Sequence, residues 1–256
     1  MGPEVDPTPA SWPDNSHALK GTYVTLEGLS RSHVPSLWQH LRLWENTSLL
    51  DYIPLNLPSS GEEDFWSSLE QLRTERQFVW YAILADPQRV NPGPPRVAPA
   101  DARKETLGVI AYLNIFPQNR DIEVGAVIFS PALQKSAAAT EVHYLLLKNV
   151  CEANSPGLGG SSLPYRRVAW KCNHLNTSSR RAAERLGYVF EGTFRKHLIS
   201  KGRSRDTDWL SIVDDEWPVV KMAFEEWLKP ENFDEEGRQK RKLDQIRAEM
   251  KTTDAV

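Results

Sequence analysis

The sequence predicts a mixed α+β (α/β) domain centred on a mostly antiparallel sheet of about seven strands. Three observations predict it. Apolar residues recur with period two or with the helical period in the order β-α-α-β-β-β-α-β-α-β-β, followed by a terminal helix. Two pairs of successive strands are joined by short polar turns, PQNRD at 117–121 and Lys201-Gly202, which makes each pair an antiparallel hairpin. A helix separates the strand ending at Phe129 from the strand beginning at Arg167, so the sheet must turn parallel there.

Taken in order, residues 1–18 are rich in Pro, Asp, Ser and Asn without periodicity and are expected to be a disordered arm. The domain proper is expected over 19–228. Val24 and Leu26 alternate with Tyr23, Thr25 and Glu27 in an opening strand. Ser30 caps a helix that puts Val34, Leu37, Trp38 and Leu41 on one face. An irregular apolar stretch holds Trp44, Tyr52 and Pro54, and a second helix from Glu62 buries Phe65, Trp66, Leu69 and Leu72. Phe78–Leu84 is a strand, and the proline-rich 86–104 is expected to be a mobile surface loop. The hairpin of Leu107–Ile115 and Ile122–Phe129 follows.

The stretch Asp121–Ala153 organises the rest. Ile122, Val124, Ala126 and Ile128 alternate as a strand, Pro131 stops it, and beyond Ser136 a helix puts Val142, Leu145, Leu146 and Val150 on one face. A strand feeding a helix through small residues leaves N–H groups at a terminus with about half a positive charge, which suits a phosphate. The glycines of the insertion at 154–164 follow a helix rather than a strand and carry no such reading. Then come the strand Arg167–Cys172 and a short helix with Asn176 as N-cap and Gly187 past its end. The second hairpin follows, then a helix anchored by Trp217, Val220, Phe224 and Trp227. Residues 229–256 read as a charged, solvated tail or loose helix.

Composition narrows the function. The 256 residues carry a net charge of −3, which gives nucleic acid no electrostatic support; KGRSR and RQKRK are basic but flanked by acids. The two cysteines, Cys151 and Cys172, have no metal-type spacing; they are expected to be reduced thiols in a cytoplasmic protein, and no metal is expected. No run approaches membrane-spanning length and the first residues lack an apolar signal core, so no membrane partner is expected.

The string AWKCNHLNTSSRRAAERLGYVFEGTFRKHLISKGRSRDTDWLSI brings together Asn-x-x-Ser, Ala-Ala-x-x-Leu-Gly-Tyr and Glu-Gly-x-x-Arg, and IEVGAVIFSPALQ is followed by ATE. This resembles the GNAT superfamily of acetyl-CoA-dependent N-acetyltransferases, most of all its RimJ/RimL-like, ribosomal-protein-alanine acetyltransferase branch, over about residues 20–228. The resemblance implies helices on both sheet faces and a V-shaped split between the fourth and fifth strands. In that split, acetyl-CoA would pair with the backbone of Val127, Ile128 and Phe129. The diphosphate would rest on the amides of Gln134, Lys135, Ser136, Ala137, Ala138 and Ala139. Here the chain departs from the family's Gln/Arg-x-x-Gly-x-Gly/Ala: alanine stands where glycine is usual and disfavours positive φ.

Acetyl transfer to an amine needs further groups. An amine with a pKa of about 10.4 is only about one part in a thousand neutral at physiological pH, so a base belongs near the acceptor. The resemblance makes Glu123 that base, against the alternative of an ion pair with Arg120 or Lys171. It makes Ser179 the proton donor to the departing thiolate, against simple packing, and Asn176 a cofactor contact as well as an N-cap. Asp206 is an acceptor-orienting acid or second base, against an ion pair with Arg195. His197 has a pKa suited to proton transfer. Trp44, Tyr52 and Arg195 are expected, with Glu123 and His197, around the acceptor. The expectation is an N-acetyltransferase, monomer or homodimer, acting on a small-molecule amine, an amino acid or a protein N-terminus. A non-catalytic acyl-CoA-binding sensor or scaffold of the same fold is the alternative.

Overall fold

The strands are β1 (Leu19–Lys20), β2 (Val24–Gly28), β3 (Val79–Ala85), β4 (Glu105–Phe116), β5 (Asp121–Phe129), β6 (Arg167–Asn173), β7 (Val189–Ser200) and β8 (Arg203–Val213). The helices are α1 (Val34–Leu41), α2 (Glu62–Arg76), α3 (Ala137–Cys151), α4 (Thr177–Leu186), α5 (Trp217–Trp227) and α6 (Leu243–Thr253). They come from a computed structural model, which describes residues 2–58, 60–92, 104–153, 155 and 163–253. Most of the loop expected at 86–104 and of the insertion expected at 154–164 lies outside the described residues.

One sheet results, in the order β1-β2-β3-β4-β5-β6-β8-β7. Every neighbouring pair is antiparallel except β5 and β6. The eighth strand is the two-residue β1; counted from Val24, the parallel pair is the fourth and fifth, where the split was expected. Lys201 and Gly202 close the β7–β8 hairpin with φ of 52° and 73°, the left-handed pair that a tight right-twisted hairpin requires.

Each sheet face carries its own core. Leu37 and Leu41 of α1 and Phe65 and Leu69 of α2 pack on Trp80, Ala82, Val109 and Ile128. On the other face Val142 and Leu146 of α3, Ala183 and Leu186 of α4 and Phe224 of α5 pack on Ile122, Val124, Val168 and Leu210. β5 thus changes face along its length: Ile122 and Val124 lie in one core and Ile128 in the other. The strict alternation expected through Ala126 to Ile128 fails because a bulge inserts a residue. Val109 pairs with Ile128 but Ala111 with Gly125, and Ala126 takes a φ of 50°. One extra residue in a period-two strand exchanges its faces.

Two further expectations are corrected. The arm before residue 19 is tied down: the Ala10 N–H donates to the Pro117 carbonyl at 3.0 Å, Asn15 Nδ2 to the Trp80 carbonyl at 2.9 Å and the Tyr165 hydroxyl to the Ser11 carbonyl at 3.0 Å. Backbone and side-chain groups of a stretch that reads as solvated instead find hydrogen-bond partners in the folded domain. The charged segment after residue 229 ends in α6, which buries Leu243 and Ile246 against the α4–α5 side. Two apolar residues three apart suffice to seat one helical face among charges. Among the described residues no helix is long and apolar enough to cross a membrane.

Candidate active site

The sheet forks between β5 and β6. Pairing covers Asp121–Arg167, Ile122–Val168 and Glu123–Ala169 and then stops. From Val124 and Trp170 onward the two strands separate, leaving the β6-facing edge of Val127, Ile128 and Phe129 without a strand partner, while Ile128 and Phe129 stay paired to β4 through Val109 and Gly108. The bulge at Ala126–Val127 sits just inside the fork. Bulges bend a strand away from its neighbour and end pairing, so the local sequence and the split are one feature. On the α3 side the gap is floored by His143, whose ring lies 5.9 Å from Phe129 and 5.2 Å from Trp170. Burial, and then the charge of Arg185, push its pKa down to about 3, and its buried Nδ1 has no partner among the described residues. This imidazole is neutral at physiological pH.

Glu123 stands at the apex on the opposite face, only 6% exposed. Oε2 takes both of its bonds: Asn114 Nδ2 donates at 2.7 Å and Lys171 Nζ lies at 2.7 Å. Of the two ion-pair partners considered for it, Lys171 is the one found. Gly125 makes room for the other oxygen: a Cβ there would stand 3.2 Å from Oε1 and 3.0 Å from Leu113 Cδ2. Lys171 is held a second way, its ammonium 4.0 Å from the centre of the Trp209 ring.

The N-terminus of α3 is finished differently from expectation. Ser136 is its N-cap, and its Oγ accepts the Ala139 N–H at 3.0 Å. The Thr140 N–H reaches the Ser136 carbonyl, the Ala137 N–H donates to Asn91 Oδ1 at 2.8 Å, and the Ala138 N–H donates to the Val90 carbonyl at 2.9 Å. All four first-turn amides are therefore taken. Ala137, Ala138 and Ala139 do not present free donors to a diphosphate, because the segment after β3 supplies the acceptors a helix start needs. Gln134 turns its side chain back, Nε2 donating to the Phe129 carbonyl at 3.0 Å. Lys135 is exposed and adopts a φ of 59°, the left-handed conformation that glycine takes without strain. The Glu141 of the ATE triplet is structural, accepting from the Thr22, Tyr23 and Val24 N–H groups in the β1–β2 turn.

Ser179 flanks the split from α4. Trp170 Nε1 lies 3.1 Å from its Oγ. An indole N–H only donates, so the serine accepts there and keeps its own proton to give. The neighbouring thiol is Cys172, pushed up to about 11 by burial and the Asp208 charge, with the Ser179 hydrogen bond opposing them. Asn176 Oδ1 accepts from the Ser179 N–H at 3.1 Å and from the Ser178 hydroxyl at 2.8 Å, so its side chain is engaged in the cap.

The acceptor-side candidates divide. Phe194, Arg195, Lys196 and His197 line an open pocket of about 620 Å³. His197 and Phe194 pack on Trp209, at 5.9 and 4.8 Å, and so adjoin Lys171. Burial, then the charges of Lys171 and Arg205, lower the His197 pKa. Asp206 does not pair with Arg195: its Oδ1 accepts the Lys196 N–H at 2.6 Å, holding the bulged backbone at Lys196, where φ is 51°. The Tyr52 carbonyl accepts from Arg205 Nη1 at 3.1 Å, which brings this residue to the site's rim by its backbone. Trp44 is 49% exposed and lies against Trp38, its ring tilted at 43°, at the edge of the α1–α2 core.

Sequence reasoning names Lys171 only as an ion-pair partner and does not reach Asn114, His143, Arg205 or Asp208. The signal for Arg205 was the alternation Arg205, Thr207, Trp209 on one face of β8. Asp208, fully buried on the other face, accepts from Thr193 Oγ1 at 2.6 Å and meets His174 and Arg180 at 2.9 and 3.2 Å. Burial alone raises its pKa, but these three partners outweigh it and hold the carboxyl below its usual range. Among the described residues no group of three or more His, Cys, Asp or Glu could hold a metal ion.

A forked α/β sheet with a bulged strand, and a carboxylate and a hydroxyl beside the fork, defines an acyl-transferring class of domain. Residues 24–189 match the acetyltransferase (GNAT) domain, and the chain belongs to this family of acetyltransferases. It is similar to a GCN5-related N-acetyltransferase from Brucella melitensis, with 32% identity and a TM-score of 0.78 over 94% of this chain and 98% of that one. A probable GNAT-family acetyltransferase from Chromobacterium violaceum ATCC 12472 aligns with 28% identity and a TM-score of 0.68, over 85% of this chain and 96% of that one. RimL, a ribosomal L7/L12 alpha-N-protein acetyltransferase in complex with coenzyme A, shares the fold at 19% identity and a TM-score of 0.56, over 77% of this chain and 98% of that one. No curated protein matches the chain.

Proposed function

We propose that the chain transfers the acetyl group of acetyl-CoA to an amine by direct attack. The carrying observation is the fork: pairing between β5 and β6 ends at Glu123–Ala169, beside the bulge at Ala126–Val127. The residues present fit acetyl-CoA as donor substrate, since the β6-facing edge of Val127–Phe129 has no strand partner, only the Gln134 side chain on the Phe129 carbonyl, which an added half-strand would displace, and Ser179 stands across the gap. The donor supplies an activated acyl group on a thiol leaving group. The amine nitrogen bonds to the thioester carbon, the C–S bond breaks, the nitrogen's proton leaves to Glu123 Oε1 directly or through water, and Ser179 gives its proton to the sulfur as it takes one from solvent, to which Glu123 returns the amine's. Main-chain N–H groups at the bulge serve the carbonyl oxygen as charge develops there. With the α3 amides engaged, Lys135 and the backbone before Ser136 are left as the contacts for the diphosphate. Lys171 and Arg205 add positive charge beside the acceptor amine, which favours its neutral, reactive form.

The test is thiol release from acetyl-CoA with a panel of amines, alongside direct measurement of acetyl-CoA binding. Amine-dependent release supports the reading. Acetyl-CoA binding with no release from any amine favours the sensor or scaffold alternative, and no binding removes both.

A further inference from the structure

Arg205 is 5% exposed, yet it has no ion pair among the described residues. Two of its N–H groups are engaged, Nε with Thr207 Oγ1 at 3.2 Å and Nη1 with the Tyr52 carbonyl at 3.1 Å, and both acceptors are neutral. A guanidinium stays charged at any physiological pH and presents five donors, so the remainder of this fork lacks a counter-charge. The carboxylate it feels is Glu123, which Lys171 already binds. The face of β6, β7 and β8 around Trp209 therefore holds Lys171 and Arg205 against one carboxylate, beside His197, whose pKa is lowered by burial and then by both of these charges. The Trp209 indole adds another donor: its Nε1 is buried and has no partner among the described residues. A buried charge whose partners are all neutral is costly, and a carboxylate from a ligand would supply the counter-charge that it lacks.

We infer that the acceptor is a small primary amine that also carries a carboxylate, and that Arg205 is the residue that recognises that carboxylate. This rests on the transferase reading and names its substrate class. The pocket lined by Phe194, Arg195, Lys196 and His197 lies beside Trp209, which touches two of its walls, Phe194 and His197, and it adds two further cations. A carboxylate on the guanidinium fork anchors the molecule at β8, and its amine then extends toward Glu123 at the apex. A polyamine or other purely cationic amine meets repulsion from Lys171 and Arg205 instead.

The experiment compares amino acids of increasing carbon spacing between amine and carboxylate, each beside its carboxamide, by thiol release from acetyl-CoA. For the best pair, the acid exceeds the amide in kcat/KM by about thirtyfold, the size of a lost charge-assisted hydrogen bond. Arg205→Met collapses the acid-to-amide ratio toward one, and Arg205→Lys recovers part of it by keeping the charge without the fork. Thermal melting of each variant keeps a folding defect apart from lost recognition: a variant that does not fold is replaced by Arg205→Gln. Equal rates for acid and amide in every pair overturn the inference while leaving the transferase reading in place, as does a ratio that survives Arg205→Met. Absence of acetyl-CoA binding overturns the transferase reading and this one with it.

Discussion

The two ends of the split are finished in opposite ways. At the α3 end, the Ala137, Ala138, Ala139 and Thr140 amides find acceptors within the chain, two of them from the segment after β3. At the apex, Lys171 and Arg205 crowd around Glu123 and leave positive charge over. The first end asks nothing of a ligand until the chain lets go; the second is completed only by one. Affinity comes from what the folded protein leaves unsatisfied, not from the presence of a helix terminus or a charged side chain as such. The same contrast separates two histidines. His143 is closed in under the gap between Phe129 and Trp170, whereas His197 faces the open pocket.

The largest effect expected at the apex is on stability. Lys171→Met leaves the buried Glu123 carboxylate with Asn114 alone and removes the cation over Trp209. Breaking a buried pair from one side costs about 3 kcal/mol, readable as a shift of the urea midpoint. A loss no larger than that of a surface lysine variant would mean that the apex tolerates unpaired charge, and the contrast between the two ends would fail.

Next in size is turnover. Glu123→Gln keeps the shape and the Asn114 contact but cannot take a proton, and a general base typically contributes about a hundredfold or more. The loss is expected mainly near neutral pH, with acetyl-CoA affinity unchanged because Glu123 lies on the face of β5 proposed for the acceptor. A variant equally active from acid to alkaline pH removes Glu123 from the mechanism.

His143 gives a pH test of the floor between the ends. Its folded pKa, about 3, lies below the unfolded value of about 6.5. Between these values the unfolded chain binds the extra proton, so stability falls as pH falls through that window and is whole above it. From pH 6.5 to pH 5 this group alone costs about 1.6 kcal/mol, the slope rising from half of about 1.4 kcal/mol per unit at pH 6.5 toward the full value below it. His143→Phe, which keeps a ring in the gap, removes that slope; unfolding curves of the two proteins at both pH values measure it.

The elements were legible because periodicity and punctuation are local: Asn176 and Gly187 bracket α4, and Lys201-Gly202 closes its hairpin. The parallel step between β5 and β6 followed from a single intervening helix. In the candidate site, Glu123 and Ser179 came from the resemblance, which reads one strand and one helix start at a time; their roles rest on the proposed function. Partnerships across long separations were not legible: Asn91 meeting Ala137, Asn15 meeting Trp80 and Tyr52 meeting Arg205 leave no trace in spacing. The bulge was missed for a related reason. Ala126 and Val127 keep apolar character through the face change, so the pattern EVGAVIF reads the same with or without an extra residue. Glu141 shows the converse error, since a residue inside the cofactor-like string is used to hold the β1–β2 turn.

The smallest effect bears on the α3 end. Asn91→Ala withdraws the acceptor from the Ala137 N–H, a loss equivalent to removing a helix cap, about 1 kcal/mol of stability. Once freed, that amide points outward at a terminus that favours anions. Acetyl-CoA binding is then expected to tighten severalfold as stability drops, an opposition that few substitutions produce. Asn91→Asp separates the causes. It keeps an acceptor on Ala137, and its negative charge suits the helix start, so stability holds, yet the same charge repels a diphosphate and affinity falls. If calorimetric titration finds acetyl-CoA affinity indifferent to both changes, the diphosphate does not use this terminus at all. Its contacts then lie with Lys135 and the turn before Ser136, and the occupied amides are a fixed part of the fold.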